Sequence, residues 1–134
     1  MNESSTDLFR AVLLKICSRE TSADPGGWTQ ENPHWGHCAV VALLAQDLFG
    51  GELLRASLED TAFASMRSHY WNRLPDGREE DFTRAQFGAN YPYGLRAEVR
   101  ERSYVLSHAE TAKRYVLLSE AYGLPSTTEK LNDA

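Results

Sequence analysis

The pattern of apolar and polar side chains predicts an amphipathic helix near the start of the chain, followed by a long loop. Residues 5–19 place apolar side chains on one face at helical spacing, and Ser5, Thr6 or Asp7 can cap the first turn. Residues 20–37 contain two prolines, three glycines and an Asn-Pro pair, which favour turns over regular structure. This part of the chain is therefore expected to form one helix and one loop.

Two further helices are predicted, one from an almost entirely apolar segment and one from a segment of mixed polarity. Residues 38–49, with the sequence CAVVALLAQDLF, are apolar on nearly every side, as in a helix covered all round by other elements. Gly50 and Gly51 follow directly and are suited to end this helix. A final helix is predicted at 109–122 and is closed by Gly123. The last ten residues are mostly polar and are expected to form a frayed tail.

Between these helices the pattern predicts three antiparallel strands. Residues 52–57 and the aromatic-rich stretch 66–74 favour strands, and 78–82 would return as the third. In the Pro-Asp-Gly turn at 75–77, proline presets φ and glycine takes the left-handed position of a three-residue hairpin. The order of elements indicates one α+β domain over the whole chain, 1–134, with a small antiparallel sheet packed on the buried helix.

Composition argues against a disordered chain, and charge argues against a nucleic-acid partner. Fourteen basic and nineteen acidic side chains give a net charge of −5, and 42% of the residues are hydrophobic, too many for a disordered chain. No basic stripe is present to neutralise a phosphate backbone, so a nucleic-acid partner is not expected. Arg96, Arg100 and Arg102 lie close together, but Glu98 and Glu101 interrupt them. We interpret this cluster as a solvated face of mixed charge.

The chain shows no export or membrane signal, and this bears on its two cysteines. The longest apolar run, 39–45, is far shorter than the roughly 20 residues that cross a bilayer, and MNESSTDLFR lacks the basic-then-apolar order of a secretory signal. A cytoplasmic protein with no membrane partner is expected, in which Cys17 and Cys38 do not form a disulfide scaffold. Cys17 lies on the apolar side of the first helix, where a small buried thiol is commonplace.

Cys38 has a different setting, because it opens the buried helix directly after a glycine-containing loop. A thiol attacks a carbonyl only as the thiolate, and at the ordinary cysteine pKa of about 8.5 little thiolate exists at neutral pH. The first turn of a helix offers unpaired N–H groups and a partial positive charge, both of which favour the anion. The backbone N–H of Cys38 would also supply one donor of an oxyanion hole. Cys38 is therefore the candidate nucleophile.

His69 and Asp81 are the candidates for the base and for the carboxylate that orients it. The three-residue turn is expected to pair Leu74 with Arg78. In that register Trp71 faces Asp81, and His69 lies diagonal to Asp81 at about 7–8 Å between Cα atoms. An imidazole held by a carboxylate keeps one tautomer and offers its other nitrogen to the thiol. A register shift of one residue would put the two side chains on opposite faces.

Each of these three residues also has an ordinary structural explanation. Cys38 can be a core residue of an apolar helix, His69 can simply be packed among aromatic side chains, and Asp81 can cap the short helical turn that Thr83 begins. Their joint occurrence in compatible positions favours the catalytic interpretation.

Other residues could complete such a site. Gln30 and Asn32, in the loop before the buried helix, are the side-chain amides best placed to supply a second oxyanion donor, although either could instead hold loop backbone. Aromatic side chains near the candidate nucleophile and base could line a substrate site: Trp28, Trp35, Tyr70 and Trp71. Core packing explains Tyr70 and Trp71 equally well.

A zinc site is a further chemical alternative. His34, His37, Cys38, His69 and Asp81 could supply three or four ligands. However, the adjacent His37 and Cys38 are awkwardly placed to coordinate one tetrahedral ion together. The chain also lacks C-x-x-C and H-E-x-x-H spacings. Neither a metal nor another cofactor is therefore expected.

Two segments resemble the YunG-like family, small bacterial proteins with no assigned reaction. These segments are WTQENPHWGHCAVVALLAQDLFGGELLRA and SHYWNRLPDGREEDFTRAQF, with a weaker likeness around Arg114 and Tyr115. The resemblance implies a glutamine directly before the cysteine, where this chain has His37. An amide there could assist the oxyanion hole or a loop hydrogen bond, so His37 points to a changed substrate or a lost activity.

More distantly, a cysteine on a central helix, a histidine on a strand and an aspartate on the next strand are similar to the papain-like and transglutaminase-like thiol enzymes. This similarity implies a papain-like α+β core and acyl transfer through a thioester. Cys38 would be the nucleophile, His69 the base and then the acid, and Asp81 the orienting carboxylate. Because the chain is short for a two-lobed protease, a small-molecule or peptide-like acyl substrate is expected. The alternative is a non-catalytic binding or regulatory module that keeps the scaffold.

Overall fold

A four-stranded antiparallel sheet and four α-helices form the framework of residues 3–124, the part of the chain that the computed structural model describes. The helices are α1 (Glu3–Ile16), α2 (Cys38–Phe49), α3 (Arg102–Leu106) and α4 (Ala109–Tyr122). The strands are β1 (Glu52–Ser57), β2 (Ser68–Arg73), β3 (Glu79–Glu80) and β4 (Glu98–Arg100), and they lie in the order β3-β2-β1-β4. The predicted α+β class is confirmed, and the tail predicted at 125–134 lies outside the described residues.

Helix α2 is the centre of the hydrophobic core, since seven of its twelve residues are buried. It packs against β1, β2 and α4, and Phe9 and Leu13 of α1 join the same cluster. Gly50 ends the helix at a φ of +77°. The predicted bounds of α2 and its glycine stop are confirmed.

None of the helices within residues 3–124 has the length and apolar character that crossing a membrane requires.

The hairpin that carries the candidate histidine and aspartate has the predicted register. The backbone N–H of Leu74 donates to the carbonyl of Arg78 at 2.8 Å, and Asn72 pairs with Glu80. Gly77 takes the left-handed backbone conformation at a φ of +90°. Strand β1 has the predicted bounds, whereas β2 and β3 are shorter than predicted. After β3 the carboxylate of Asp81 accepts the backbone N–H of Thr83 at 3.2 Å, and this local turn takes the chain out of the sheet.

Two local predictions at the start of the chain are wrong. Helix α1 begins at Glu3, so Ser5, Thr6 and Asp7 lie inside the helix rather than at its cap. The helix ends at Ile16 rather than at Arg19, and a separate 3-10 helix follows at Arg19–Thr21. There the hydroxyl of Thr21 accepts the backbone N–H of Ser18 at 3.1 Å, a local bond that competes with continuation of the α-helix.

The segment interpreted as a solvated face of mixed charge contains β4 and α3, which the pattern did not predict. For Arg102 the interpretation is wrong, since its side chain is only 19% exposed. Its guanidinium donates to the Leu43 carbonyl at 3.1 Å, to Gln46 Oε1 at 3.0 Å and to Asp47 Oδ1 at 2.8 Å. It also donates to the hydroxyl of Tyr115 at 2.8 Å. Arg102 therefore fastens α2 to α4 from outside the core.

Replacing Arg102 with alanine is expected to destabilise the fold, because it removes the cation beside a mostly buried Asp47 carboxylate. We expect the free energy of unfolding to fall by about 2–4 kcal/mol in urea denaturation. Arg96→Ala makes the same truncation at an exposed position of the same segment, and should change this free energy by less than about 0.5 kcal/mol. Equal effects of the two variants on the free energy of unfolding would contradict the conclusion that Arg102 stabilises the contact between α2 and α4.

Candidate functional site

The structure brings the ring of His69 and the carboxylate of Asp81 into direct contact. His69 Nε2 lies 2.6 Å from Asp81 Oδ2. The His69 side chain has no exposed surface, and the Asp81 side chain is 10% exposed. Both residues belong to the β2–β3 hairpin, so the register of that hairpin accounts for the contact. An imidazole bound in this way has a fixed orientation.

Asp81 is itself held by donors on both of its oxygens. Oδ2 accepts the hydroxyl of Tyr91 at 3.0 Å in addition to His69, and Oδ1 accepts the backbone N–H of Thr83. Burial first, and the charge of Asp81 second, raise the pKa of Tyr91 to about 12, so its hydroxyl remains a neutral donor. Thr83 precedes a 3-10 helix as predicted, but its side chain makes no capping bond and lies 3.4 Å from Asp81 Oδ1 instead.

His69 is the only buried histidine within residues 3–124 that carries a raised pKa. Burial is the largest single influence and would lower the pKa of the ring, but the hydrogen bonds and charges of Asp81 and Cys38 outweigh it and raise the pKa to about 9. Trp71 stacks on the ring at 5.4 Å between centroids, and Phe87 meets it edge-on at 4.8 Å. The raised pKa favours the imidazolium form of His69, and its ring lies against these two aromatic side chains.

Cys38 begins α2 and has only 8% of its surface exposed. The first bond of the helix runs from the Val41 N–H to the His37 carbonyl at 2.9 Å, so the N–H of Cys38 has no acceptor within the helix. The thiol lies close enough to His69 to help raise the pKa of the ring, although His69 Nδ1 makes no hydrogen bond of good geometry among the described residues. Cys38 and His69 are therefore neighbours that share no hydrogen bond of good geometry.

A buried amide fixes the helix of Cys38 to the strand of His69. Asn72, three residues after His69, donates from Nδ2 to the carbonyl of Ala42 at 3.0 Å. Ala42 lies one turn after Cys38 in α2. Since Asn72 is almost completely buried, this bond forms away from competing water and holds the two elements in one relative position.

His37 serves the loop rather than an oxyanion. It is fully buried, and because a carbonyl can only accept, Nδ1 carries the proton that it donates to Trp35 O at 3.0 Å. Nε2 then accepts the hydroxyl of Thr21 at 2.7 Å. Burial lowers the pKa of His37 to about 4, so the ring is neutral at physiological pH. Both nitrogens are satisfied within the protein, which leaves no donor for a substrate.

The two amides considered for the oxyanion hole are not arranged for that role. Gln30 is exposed on the loop. Asn32 donates from Nδ2 to the backbone carbonyl of Gln86 at 3.0 Å and so holds loop backbone, the alternative that the sequence left open. The sequence-based expectation of a second oxyanion donor from either amide thus finds no support in these contacts.

The aromatic residues differ in their relation to the candidate site. Trp71 lies against the His69 ring and donates from Nε1 to Glu79 Oε1 at 2.9 Å. Trp35 is half-buried and donates to Asp24 Oδ2 at 2.9 Å, so it is engaged within the loop. Of the two, Trp71 is the one that the structure places beside a candidate catalytic group.

Within residues 3–124, the candidate zinc ligands are not arranged around a common position where an ion could bind. Across the described part of the chain, no three His, Cys, Asp or Glu side chains are placed together so that they could hold an ion. Both nitrogens of His37 and the Nε2 of His69 are bound to the partners given above, while His69 Nδ1 and the Nδ1 of the buried His34 lack a hydrogen-bond partner. Burial lowers the pKa of His34 despite the nearby charge of Asp81.

A cavity of about 760 Å³ lies at the Asp81 end of the site rather than at the sulfur. Asp81, Trp71, Tyr91 and His34 are among its lining residues, whereas Cys38 and His69 are not. A molecule in this cavity would meet the carboxylate that orients His69 and would not reach the thiol. The cavity therefore does not mark the position of an acyl group under attack.

Gln86 is a site residue that sequence reasoning missed. It is buried, its Oε1 accepts the Gly36 N–H at 3.1 Å, and its Nε2 donates to Thr83 Oγ1 at 3.0 Å. One side chain thus ties the loop before Cys38 to the turn that holds Asp81. No spacing or periodicity in the sequence identifies this glutamine as a site residue. One of its partners, Gly36, lies 50 residues earlier in the chain, and the other, Thr83, lies three residues earlier.

Comparison with known proteins places the chain among bacterial relatives. The family model described as YunG protein matches residues 5–123. The chain is 32% identical over 111 residues to the uncharacterized protein YunG of Bacillus subtilis (strain 168), an alignment that covers 83% of this chain and 85% of that protein. No solved structure gives a significant match. The resemblance to YunG-like proteins is confirmed, and the papain-like and transglutaminase-like resemblance stays a prediction.

The neutral state of His37 predicts a loss of stability in acid. The unfolded chain takes up this proton near the ordinary pKa of about 6.5 and the folded protein only near 4, so the stabilising contribution is complete above pH 6.5 and is lost as the pH falls toward 4. Urea denaturation of the wild type and of His37→Gln should give free energies of unfolding whose difference shrinks over this window. A difference that stays constant from pH 7 to 4 would contradict the assignment.

Proposed function

We propose that this chain, which belongs to the YunG family, is a thiol enzyme that transfers an acyl group or hydrolyses an amide or isopeptide bond. Cys38 is the nucleophile, His69 the acid and base, and Asp81 the orienting carboxylate. The observation that carries the proposal is the buried His69 ring, whose Nε2 lies 2.6 Å from Asp81 Oδ2 and whose pKa the nearby Cys38 thiol helps to raise. An adjacent base that a third group orients is the usual means of activating a nucleophilic cysteine, and Asp81 and His69 supply that pair.

The first half-reaction follows from the positions of these groups. The Cys38 thiolate attacks the carbonyl carbon, a carbon–sulfur bond forms, and the carbonyl electrons move to oxygen, where the Cys38 N–H can meet the negative charge. The imidazolium of His69 gives its proton to the leaving amine as the carbon–nitrogen bond breaks. The products are the free amine, a thioester on Cys38 and a neutral His69.

The second half-reaction restores the resting state. Neutral His69 takes a proton from water while the oxygen attacks the thioester, and the carbon–sulfur bond breaks to release the acid and the thiolate. Asp81 stabilises the imidazolium that re-forms and remains ionised throughout. If an amine takes the place of water, the same steps give acyl transfer.

The substrate class follows from the size and layout of the chain. The cysteine–helix, histidine–strand and aspartate order is that of the papain-like and transglutaminase-like enzymes, which supports acyl chemistry on a compact α+β core. With no second lobe among residues 3–124 to hold an extended peptide, a small-molecule or short peptide-like acyl substrate fits best.

A non-catalytic binding or regulatory module is the second candidate, and two observations favour it. Cys38 exposes only 8% of its surface, which restricts approach of a carbonyl. The 760 Å³ cavity lies on the Asp81 side, where a ligand could bind without meeting the thiol.

Selective alkylation of Cys38 tests the proposed function. We expect iodoacetamide to modify Cys38 at least about tenfold faster than Cys17 in the folded protein, measured by mass spectrometry of peptides. Cys17 is an internal control, since it is about as little exposed as Cys38. Burial raises the pKa of Cys17 to about 12, so this thiol stays protonated and should react slowly. His69→Gln should slow modification of Cys38 and leave Cys17 unchanged. Equal slowness of both thiols in the folded wild type would instead favour the binding module.

A further inference from the structure

The loop between β1 and β2 leaves the sheet directly beside the candidate base. In the pairing of these two strands, Ala56 lies opposite His69 and Ser57 lies opposite Ser68. The chain therefore departs from the sheet one residue beyond the pair that contains His69, and returns to it one residue before His69. Residues 59–66, here named the 59–66 loop, form the part of this connection that projects from the sheet.

The 59–66 loop is hydrogen-bonded only to itself and to the strand ends that carry it. At its neck the N–H of Leu58 donates to the carbonyl of Arg67 at 2.9 Å. Among the described residues, no hydrogen bond joins the loop to any part of the chain outside 57–67, and none of its eight residues is buried. A segment held in this way belongs to the least stable part of a fold, because its displacement breaks few contacts.

Phe63, in the middle of the loop, provides the ring contacts with the body of the protein. Its ring meets that of Phe87 edge-on at 4.7 Å between centroids and lies 6.4 Å from that of Trp35. Phe87 in turn lies 4.8 Å from the ring of His69, and Trp35 is three residues before Cys38. Phe63 therefore joins the aromatic wall of the candidate base to the loop that leads to the candidate nucleophile.

Two further features favour displacement of the 59–66 loop. At its return to the sheet, Arg67 has a φ of +70°, the one positive φ at a residue other than glycine within the described part of the chain. A side chain rarely adopts this conformation, and such strain persists only where surrounding contacts maintain it. A cavity of about 440 Å³ also adjoins the loop, with Asp60, Thr61, Tyr93 and Gly94 in its wall. The loop thus has a strained end and open space beside it.

We infer that the 59–66 loop is a lid over the His69 end of the sheet, which Phe63 holds closed and which opens to admit the substrate. The inference rests on the proposed function, because an opening is needed only if a carbonyl group must reach Cys38. The His69 side chain has no exposed surface and Cys38 has 8%, so the closed arrangement leaves little approach to either. Opening separates Phe63 from Phe87 and uncovers this side of the site. Lids of this kind control substrate entry and product release in many enzymes.

Truncation of Phe63 tests the lid through the rate at which iodoacetamide modifies Cys38. Phe63→Ala should raise this rate by about fivefold or more, because the closed state loses both ring contacts and the open state becomes more populated. The factor should be the same from about pH 6 to about pH 9, since access scales the rate without changing the protonation of the thiol. Phe63→Leu keeps an apolar side chain and should give a smaller increase. Mass spectrometry of peptides measures each rate.

Phe49→Ala is the matched control for a general loss of stability. It makes the same truncation at a partly buried position at the other end of α2, where Phe49 packs against Phe9 at 5.5 Å between ring centroids. It should leave the rate at Cys38 within about twofold of the wild type. Cys17 serves as the internal reference, since global unfolding exposes both thiols whereas opening of the lid should leave the Cys17 rate unchanged.

The outcomes separate the lid from the proposed function. Suppose that Cys38 reacts faster than Cys17 in the wild type, but that Phe63→Ala raises the Cys38 rate no more than Phe49→Ala does. The 59–66 loop is then not a lid, and the proposed function stands. A Phe63→Ala variant that shifts the pH dependence of the reaction without raising its maximal rate leads to the same conclusion. If Cys38 is no faster than Cys17 in both the wild type and Phe63→Ala, the proposed function fails and the lid inference fails with it.

Discussion

The hydrogen bond between His69 and Asp81 is the interaction on which the rest of the site depends. Burial alone would keep the His69 ring neutral, because a low-dielectric interior disfavours the imidazolium. The Asp81 carboxylate, 2.6 Å away, overcomes that penalty with help from the Cys38 thiol. The carboxylate can do so because Thr83 and Tyr91 fix its two oxygens. The hairpin thus fixes the orientation of the His69 ring and, through Asp81, helps to raise its pKa.

The fold completes the site through contacts between distant parts of the chain. Hydrogen bonds lead from the loop before Cys38 to Gln86, from Gln86 to Thr83, and from Thr83 to Asp81. Asn72 closes the other side by joining β2 to α2. Both carboxylate oxygens of Asp81 and both amide atoms of Gln86 are hydrogen-bonded in this network, whereas Asn72 Oδ1 and His69 Nδ1 have no partner among the described residues. The three candidate catalytic groups therefore lie on elements that are fastened to one another directly.

The parts of this arrangement that could be predicted from sequence are those with local causes. The bounds of α2, β1 and α4 followed from apolar pattern and glycine stops, and the pairing of His69 with Asp81 followed from turn chemistry. Arg102 was misinterpreted because its partners Asp47 and Leu43 lie 55 and 59 residues away. Spacing along the chain carries no information on such contacts.

His37 shows the same limit more sharply. His37 and His69 are both fully buried, yet the pKa of the first falls to about 4 and that of the second rises to about 9. The difference lies in their partners, a carbonyl and a hydroxyl for His37 and a carboxylate and a thiol for His69. Neither burial nor residue type distinguishes them, so only the three-dimensional neighbours could assign one to the loop and the other to the site.

Titration of His69 by nitrogen-15 NMR tests this account most directly. In the wild type the ring nitrogens of His69 should titrate with a pKa of about 9, and Asp81→Asn, in which the orienting charge is lost and the amide shape kept, should lower that pKa well below its wild-type value. Dispersed amide spectra of both proteins would confirm that each is folded. A wild-type His69 that titrates at or below the ordinary 6.5, or one whose pKa is unaffected by Asp81→Asn, would contradict the account.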